Sequence, residues 1–226
     1  MLIRLTAFVA VLMLATATLA QENKSALDQI VAVLKVGPEA AKEDQTENTF
    51  NVAGALHKLR DLPVDPKRRD EISKLLDPLL TAKNAGIRGE AVYIIDKWGT
   101  AANVPSLIEL LKYRDSLIRH KALNAIGKIG GKQAAEAVGE VLASGNDTDQ
   151  AMYSLSNMGE VAEPIAWKHI GSKNSSLHQA ACYILGKVGG SKSLTRMKAL
   201  DKKQVKGGSG GISDAIRQME ARLVKR

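Results

Sequence analysis

Four copies of one short motif constrain what this chain can fold into. Ala91–Gly99 (AVYIIDKWG), Ala122–Gly130 (ALNAIGKIG), Ala151–Gly159 (AMYSLSNMG) and Ala181–Gly189 (ACYILGKVG) superimpose, with leading alanines 31, 29 and 30 residues apart. In each copy a large apolar residue stands four positions after the alanine and another at seven, with glycine at eight. Apolar positions at zero, one, four and seven make a single stripe on an α-helix. The closing glycine suits the left-handed residue that ends a helix, and the alanine lets a neighbouring helix come close.

A second apolar pattern fills the intervals. Val104 to Leu111 is its clearest copy, followed by Ala137, Val138, Val141 and Leu142, then Pro164, Ile165 and Ile170, then Leu194, Met197 and Leu200. Pro105 and Pro164 stand where helices begin, and there a missing amide hydrogen costs nothing. Each unit therefore reads as two antiparallel helices that cannot bury their stripes alone, so neighbouring units must stack. The pattern continues upstream. Ile72, Leu75, Leu76, Leu79 and Leu80 form one helix; Leu27, Ile30, Val31 and Leu34 form another, ended by Gly37-Pro38 and partnered by Phe50–Leu59. Asp65-Pro66 reads as a helix-opening cap. Downstream, Gly207–Gly211 reads as a flexible linker before a last helix with Ala215, Ile216, Met219 and Leu223. The expected fold is all-α, an α-solenoid of about six stacked antiparallel helix pairs; no run alternates with period two as a strand would.

The stretch Ile118–Gly130 (IRHKALNAIGKIG), with Ile87-Arg88 before Ala91, resembles the bacterial short HEAT repeat, the class named after the phycobilisome lyases. The resemblance is clear over residues 83–190 and looser in the flanks. It departs from the pattern where the family's Arg, three before the alanine, becomes Thr148 and His178. It implies a helical-repeat fold but no single function, because such repeats serve as lyase subunits, adaptors and scaffolds. In this class the positions two and six after the alanine face outward: Tyr93, Asn124, Tyr153 and Tyr183 in one column, Lys97, Lys128, Asn157 and Lys187 in the other. Residues four apart are neighbours on a helix surface. Three of the chain's four tyrosines fall in the first column, and amphipathic rings beside ammonium groups suit the gripping of another protein. The bland alternative has the rings packing on the adjacent helix with their hydroxyls wet.

Residues 1–20 stand apart. Arg4, the apolar run Leu5–Leu14 and the small-residue approach to Ala20 describe a secretory signal peptide cleaved after Ala20. The run is short for a membrane anchor, which needs roughly 20 apolar residues. The protein is expected to be exported, periplasmic or secreted, with no cysteine at the cleavage point to carry a lipid. Residues 21–226 then form one repeat domain, with an N-terminal cap over 21–62 and a basic C-terminal cap over 191–226. Cys182 is the only cysteine, so no internal disulfide can form; between Ala181 and Ile184 it reads as a small buried apolar side chain.

The net charge of +8 is concentrated at one end. Eleven Lys and Arg against three acids lie between Lys187 and Arg226, whereas residues 21–186 carry 20 bases and 21 acids. That asymmetry implies either an anionic partner or a solvated cap. Catalytic constellations are poor. His57, His120, His169 and His178 do not pair at helical spacing, and no phosphate-cradling loop, nucleophile motif or Cys–His pairing is recognised. No catalytic, metal or cofactor residue is expected. The chain reads as a non-catalytic protein-binding scaffold. The alternative is binding of an anionic polymer or surface through the basic end; nucleic acid, a special case of it, is disfavoured by export.

Overall fold

The computed structural model describes residues 21–35, 47–203 and 210–224. The leader, the Gly37-Pro38 stop and the linker positions 207–209 lie outside these residues. Among the described residues the secondary structure is helical, with no strand. In chain order the helices are α1 (21–34), α2 (Glu47–Asp61), α3 (Arg69–Leu80), α4 (Ala85–Trp98), α5 (Val104–Leu110), α6 (Ser116–Ile129), α7 (Lys132–Ser144), α8 (Thr148–Asn157), α9 (Glu163–His169), α10 (Ser175–Val188), α11 (Ser191–Lys203) and α12 (Gly210–Leu223). Short 3₁₀ turns, Ala101–Asn103 and Gly159–Ala162, lead into α5 and α9. Their proline-bearing starts are the ones expected at Pro105 and Pro164.

The chain divides into two compact units, Met1–Ile94 and Ile95–Arg226. In the first, Leu27, Ile30, Val31 and Leu34 of α1, Val52, Leu56 and Leu59 of α2, and Ile72, Leu76, Leu79 and Leu80 of α3 are buried. Phe50 contributes nothing to this core and is 68% exposed. Arg68 bonds Asp28 at 2.6 Å and Glu71 at 2.7 Å. Asp65 does not cap α3, as the sequence had suggested. Its carboxylate accepts from Lys67 N at 2.9 Å, closing a turn two residues on, and the helix begins only at Arg69.

In the second unit the packing follows the expected alternation. The first helices α5, α7, α9 and α11 each pack on the following helix, and the second helices α6, α8, α10 and α12 pack on one another in succession. Of the stripe read from the motif, Ala122, Leu123 and Ile126, then Ala151 and Leu155, then Ala181, Cys182 and Leu185 are buried, and Ala125 and Ile184 at position three, not read from the motif, join them. Close approach is specific. A Cβ on Gly127 would stand 2.9 Å from Ser154 Cα, so α6 and α8 touch backbone to backbone there. Ser154, itself buried, donates to Leu123 O at 2.8 Å across that crossing.

Two expectations about glycine need correction. Gly130 and Gly159 adopt the positive φ foreseen for the closing position, 73° and 71°. Gly189 does not, with φ −60° and ψ 131°, and Gly99 also lies outside that region. At these two positions glycine is needed for space: a Cβ would fall 2.5 Å from Ile95 O at Gly99 and 2.7 Å from Met219 Sδ at Gly189. Gly210 and Gly211, taken as linker, are the first turn of α12. Gly211 fits there because a Cβ would meet Cys182 Sγ at 3.3 Å.

Candidate functional site

The second helices carry the outward columns, and each unit holds its own part of them. In the first unit Tyr93 is 48% exposed, with the Arg60 guanidinium 5.8 Å from its ring centroid. Arg60 also approaches Glu90 at 3.7 Å. In the second unit Lys97 is exposed. Asn124 and Lys128, positions two and six of one copy, converge on a single acid of the preceding copy. Asn124 Nδ2 donates to Asp96 Oδ1 at 2.7 Å and Lys128 Nζ to Asp96 Oδ2 at 2.5 Å. These two side chains face outward as expected, but their polar groups are held by Asp96, which the sequence reading had not singled out.

The next two copies form a different cluster. Tyr153, 50% exposed, meets Tyr183 edge to face at 5.7 Å between centroids and 86° between planes. Lys187 Nζ sits 5.4 Å from the Tyr183 ring centroid, and Asn157 is exposed on the same helix face as Tyr153. An edge-to-face pair with a cation over one ring is electrostatically favourable, and both contacts link residues predicted for the columns. Beside this cluster, α10 and α12 leave two shallow recesses. Gln179, Cys182, Tyr183, Asp214 and Gln218 are among the residues lining one; Gly186, Lys187, Gln218 and Arg222 are among those lining the other. Gln179 and Gln218 add amide donors and acceptors that the repeat pattern did not mark, because Gln179 lies two residues before the leading alanine and Gln218 on α12, outside the four copies.

A separate network sits three residues before each leading alanine. Arg88 donates to Ala82 O at 2.6 Å, and Arg119 donates to Tyr113 O and Arg114 O at 2.8 and 2.9 Å. His178 takes over the same task with Nδ1 2.7 Å from Ile170 O. The substituted residue still satisfies a carbonyl at the end of the preceding helix. Where the third copy has Thr148, the adjacent Asp147 enters instead. Its carboxylate binds Arg119 Nε at 2.6 Å and His120 Nε2 at 2.6 Å, and its side chain is 10% exposed. The Arg119 hydrogen bond holds this carboxyl below the usual carboxylate range against the opposing effect of burial, and His120 adds to the lowering.

The structure also corrects the expectation of no Cys–His pairing. His178 and Cys182 are four apart on α10, and Nε2 lies 3.6 Å from Sγ. With Nδ1 donating to a carbonyl, Nε2 is the acceptor and the thiol is the donor. The pair does not make a nucleophile. Cys182 is 2% exposed, and burial pushes its thiol up to about 11, far from thiolate at neutral pH. Its expected role as a buried apolar side chain matches this burial. Among the described residues, no group of three or more His, Cys, Asp or Glu is placed to hold a metal ion. No helix among them is long and apolar enough to cross a membrane.

Residues 72–156 match the family model described as HEAT repeats. With the stacked helix pairs above, this match identifies HEAT repeats over that segment of the chain. Among solved structures it is similar to an engineered protein, at TM-score 0.51 and 16% identity, covering 86% of this chain and 97% of that one. It is also similar to the HEAT-like repeats protein of the archaeon Thermococcus onnurineus NA1, at TM-score 0.50 and 14% identity, covering 87% and 92%. A third likeness is to a designed armadillo repeat protein solved with the peptide (KR)4, at TM-score 0.50 and 16% identity, covering 85% and 98%. At these identities the likeness speaks for the helical-repeat fold. Comparison with curated proteins gives no significant match.

Proposed function

We propose that this protein is an exported, non-catalytic scaffold that seats a segment of another protein on the outward face of its second helices. The observation that carries the reading is the Tyr153–Tyr183 pair, Tyr153 exposed and Tyr183 half-buried, with Lys187 over the Tyr183 ring. Aromatic rings held rigid by their neighbours give contact area at little entropic cost, and tyrosine is enriched at interfaces. The recesses beside the pair, edged by Gln179, Gln218 and Lys187, offer hydrogen bonds and positive charge to a peptide with acidic and apolar side chains. The designed armadillo neighbour was solved with a peptide of alternating basic residues. Here the columns carry Lys97 and Lys187 beside the Asp96-paired Lys128, which favours the opposite sign of partner.

Affinity capture from the exported fraction, with wild type and a Tyr153→Ala, Tyr183→Ala double variant as paired baits, tests this. The expected result is a partner retained by wild type and weakened at least about tenfold by the variant, as for an aromatic hot spot, with helical circular dichroism unchanged. Equal capture by both baits would place the binding face elsewhere.

A further inference from the structure

A second surface, formed by the first helices rather than the tyrosine-bearing ones, carries its own signal. On α11, Lys192, Thr195, Arg196, Ala199 and Lys202 are exposed and fall within about 120° of the helix circumference at 3.6 residues per turn. Ser193 and Met197 turn inward. Three acids on α11 or packed against it are engaged. Glu163 accepts from Gly190 N at 2.8 Å and from Ser193 Oγ at 2.5 Å, Asp201 accepts from Ser213 at 3.1 Å, and Glu220 pairs with Lys198 at 2.6 Å. The outward face of α11 therefore carries cations and small residues without an acid.

The neighbouring helix extends the patch. The Arg196 guanidinium sits over the Trp167 ring of α9, its carbon 3.8 Å from the ring centroid, while Trp167 Nε1 donates to Ser193 Oγ at 2.9 Å. The stack fixes the guanidinium over the ring and leaves its edge for oxyanions. Lys168, next to Trp167 in the chain, is exposed on α9. The corresponding helix one repeat pair earlier is opposite in character. When Gly130-Gly131 is set against Gly189-Gly190, the exposed Glu136 and Glu140 of α7 align with Thr195 and Ala199. Between one outward helix and the next but one, the acids are removed and cations take over.

We infer that the α9–α11 face docks on a membrane surface bearing anionic phospholipids. The cations spread over two adjacent helices rather than along one groove, so they complement a two-dimensional array of charge. The one aromatic ring on the face is covered by Arg196, which leaves no platform for stacking bases, as single-stranded nucleic acid would require. The small exposed residues Thr195 and Ala199 insert nothing, so attachment is electrostatic and peripheral, of the kind that clusters of about four to eight basic residues achieve. This inference is independent of the tyrosine face and survives if that reading fails.

The test is co-sedimentation of the full chain with vesicles of phosphatidylcholine alone and of phosphatidylcholine mixed with phosphatidylglycerol, at low and high salt. The quantity read is the ratio of binding to anionic over neutral vesicles, so any affinity lent by apolar residues 1–20 cancels. The expected result is a preference for anionic vesicles that high salt removes. It should drop about a hundredfold in the Lys192→Gln, Arg196→Gln, Lys202→Gln triple variant. A control triple of Lys97→Gln, Lys128→Gln and Lys187→Gln removes equal charge from the other face and should keep the preference. Equal loss in both triples, an unchanged preference in the α11 triple, or binding to single-stranded DNA in place of vesicles would overturn the proposal. Circular dichroism of each variant separates lost binding from lost fold.

Discussion

Asp147 occupies the place that Ile87, Ile118 and Leu177 hold in the other copies, four residues before the leading alanine. A carboxylate in an apolar slot is stable only when compensated, and Arg119 and His120 of the preceding copy supply the compensation. Its backbone, at φ 51°, is the one positive-φ position outside glycine among the described residues, and Asn tolerates that region as Asp does. Asp147→Asn therefore removes charge without adding backbone strain. Because the folded carboxyl titrates below its unfolded value, its stabilisation is present above the unfolded pKa and lost as pH falls through the folded one. Urea midpoints of wild type and variant should differ at neutral pH and converge in acid; a constant gap would rule out the charge as the cause. Cys182 gives a second test at this scale. A thiol pushed up from 9.0 to about 11 should alkylate about a hundredfold more slowly in the native protein than in urea at mildly alkaline pH, read by mass spectrometry.

At the scale of the element, glycine has two meanings that composition cannot separate. Gly89 of α4 has nothing within 4 Å of a hypothetical Cβ, whereas Gly127 of α6 would strike the backbone of Ser154 at 2.9 Å. Gly89→Ala should stabilise by about 0.5–1 kcal/mol through helix propensity. Gly127→Ala should destabilise by about 1–3 kcal/mol by forcing α6 and α8 apart. Thermal melts of the two variants should move in opposite directions, and a shared direction would contradict the crossing. The helix starts repay the same attention. Asn84, Asp115 and Asn174 stand seven residues before their alanines and accept from backbone amides at 2.8 to 3.3 Å. That cap was legible in the sequence as a further column of the repeat. In the third copy Ser144 holds the place, the spacing is one residue short of thirty, and α8 is the shortest second helix, with 10 residues.

At the scale of the whole molecule, the α11–α12 pair covers the one before it. α12 packs on α10 and α11, with Gly211 against Cys182 and the Arg222 guanidinium donating to Gly189 O. A chain ending at Lys203 should expose Cys182 to alkylation at a rate near that of the unfolded thiol. It should also lose stability beyond the share of the fourteen residues of α12 among those removed, since each repeat is held by its neighbour. Slow labelling in that truncation would mean that α10 keeps its own cover.

The sequence by itself determined the helical class, the pairing and the stacking order, because a stripe repeating about every thirty residues can be buried in few other ways. It also assigned Tyr153 and Tyr183 the same position of the repeat, the one the resemblance implies faces outward. Only the tertiary structure decided what those side chains meet. Asp96 binds Asn124 and Lys128 across 28 and 32 residues, Arg119 reaches Asp147 across 28, and Arg196 finds Trp167. Such contacts depend on how one helix is rotated against the next, which side-chain volumes set jointly and no single copy of the motif encodes. The same holds for Gly99 and Gly189, where the pattern predicted a turn and packing required an absence of side chain.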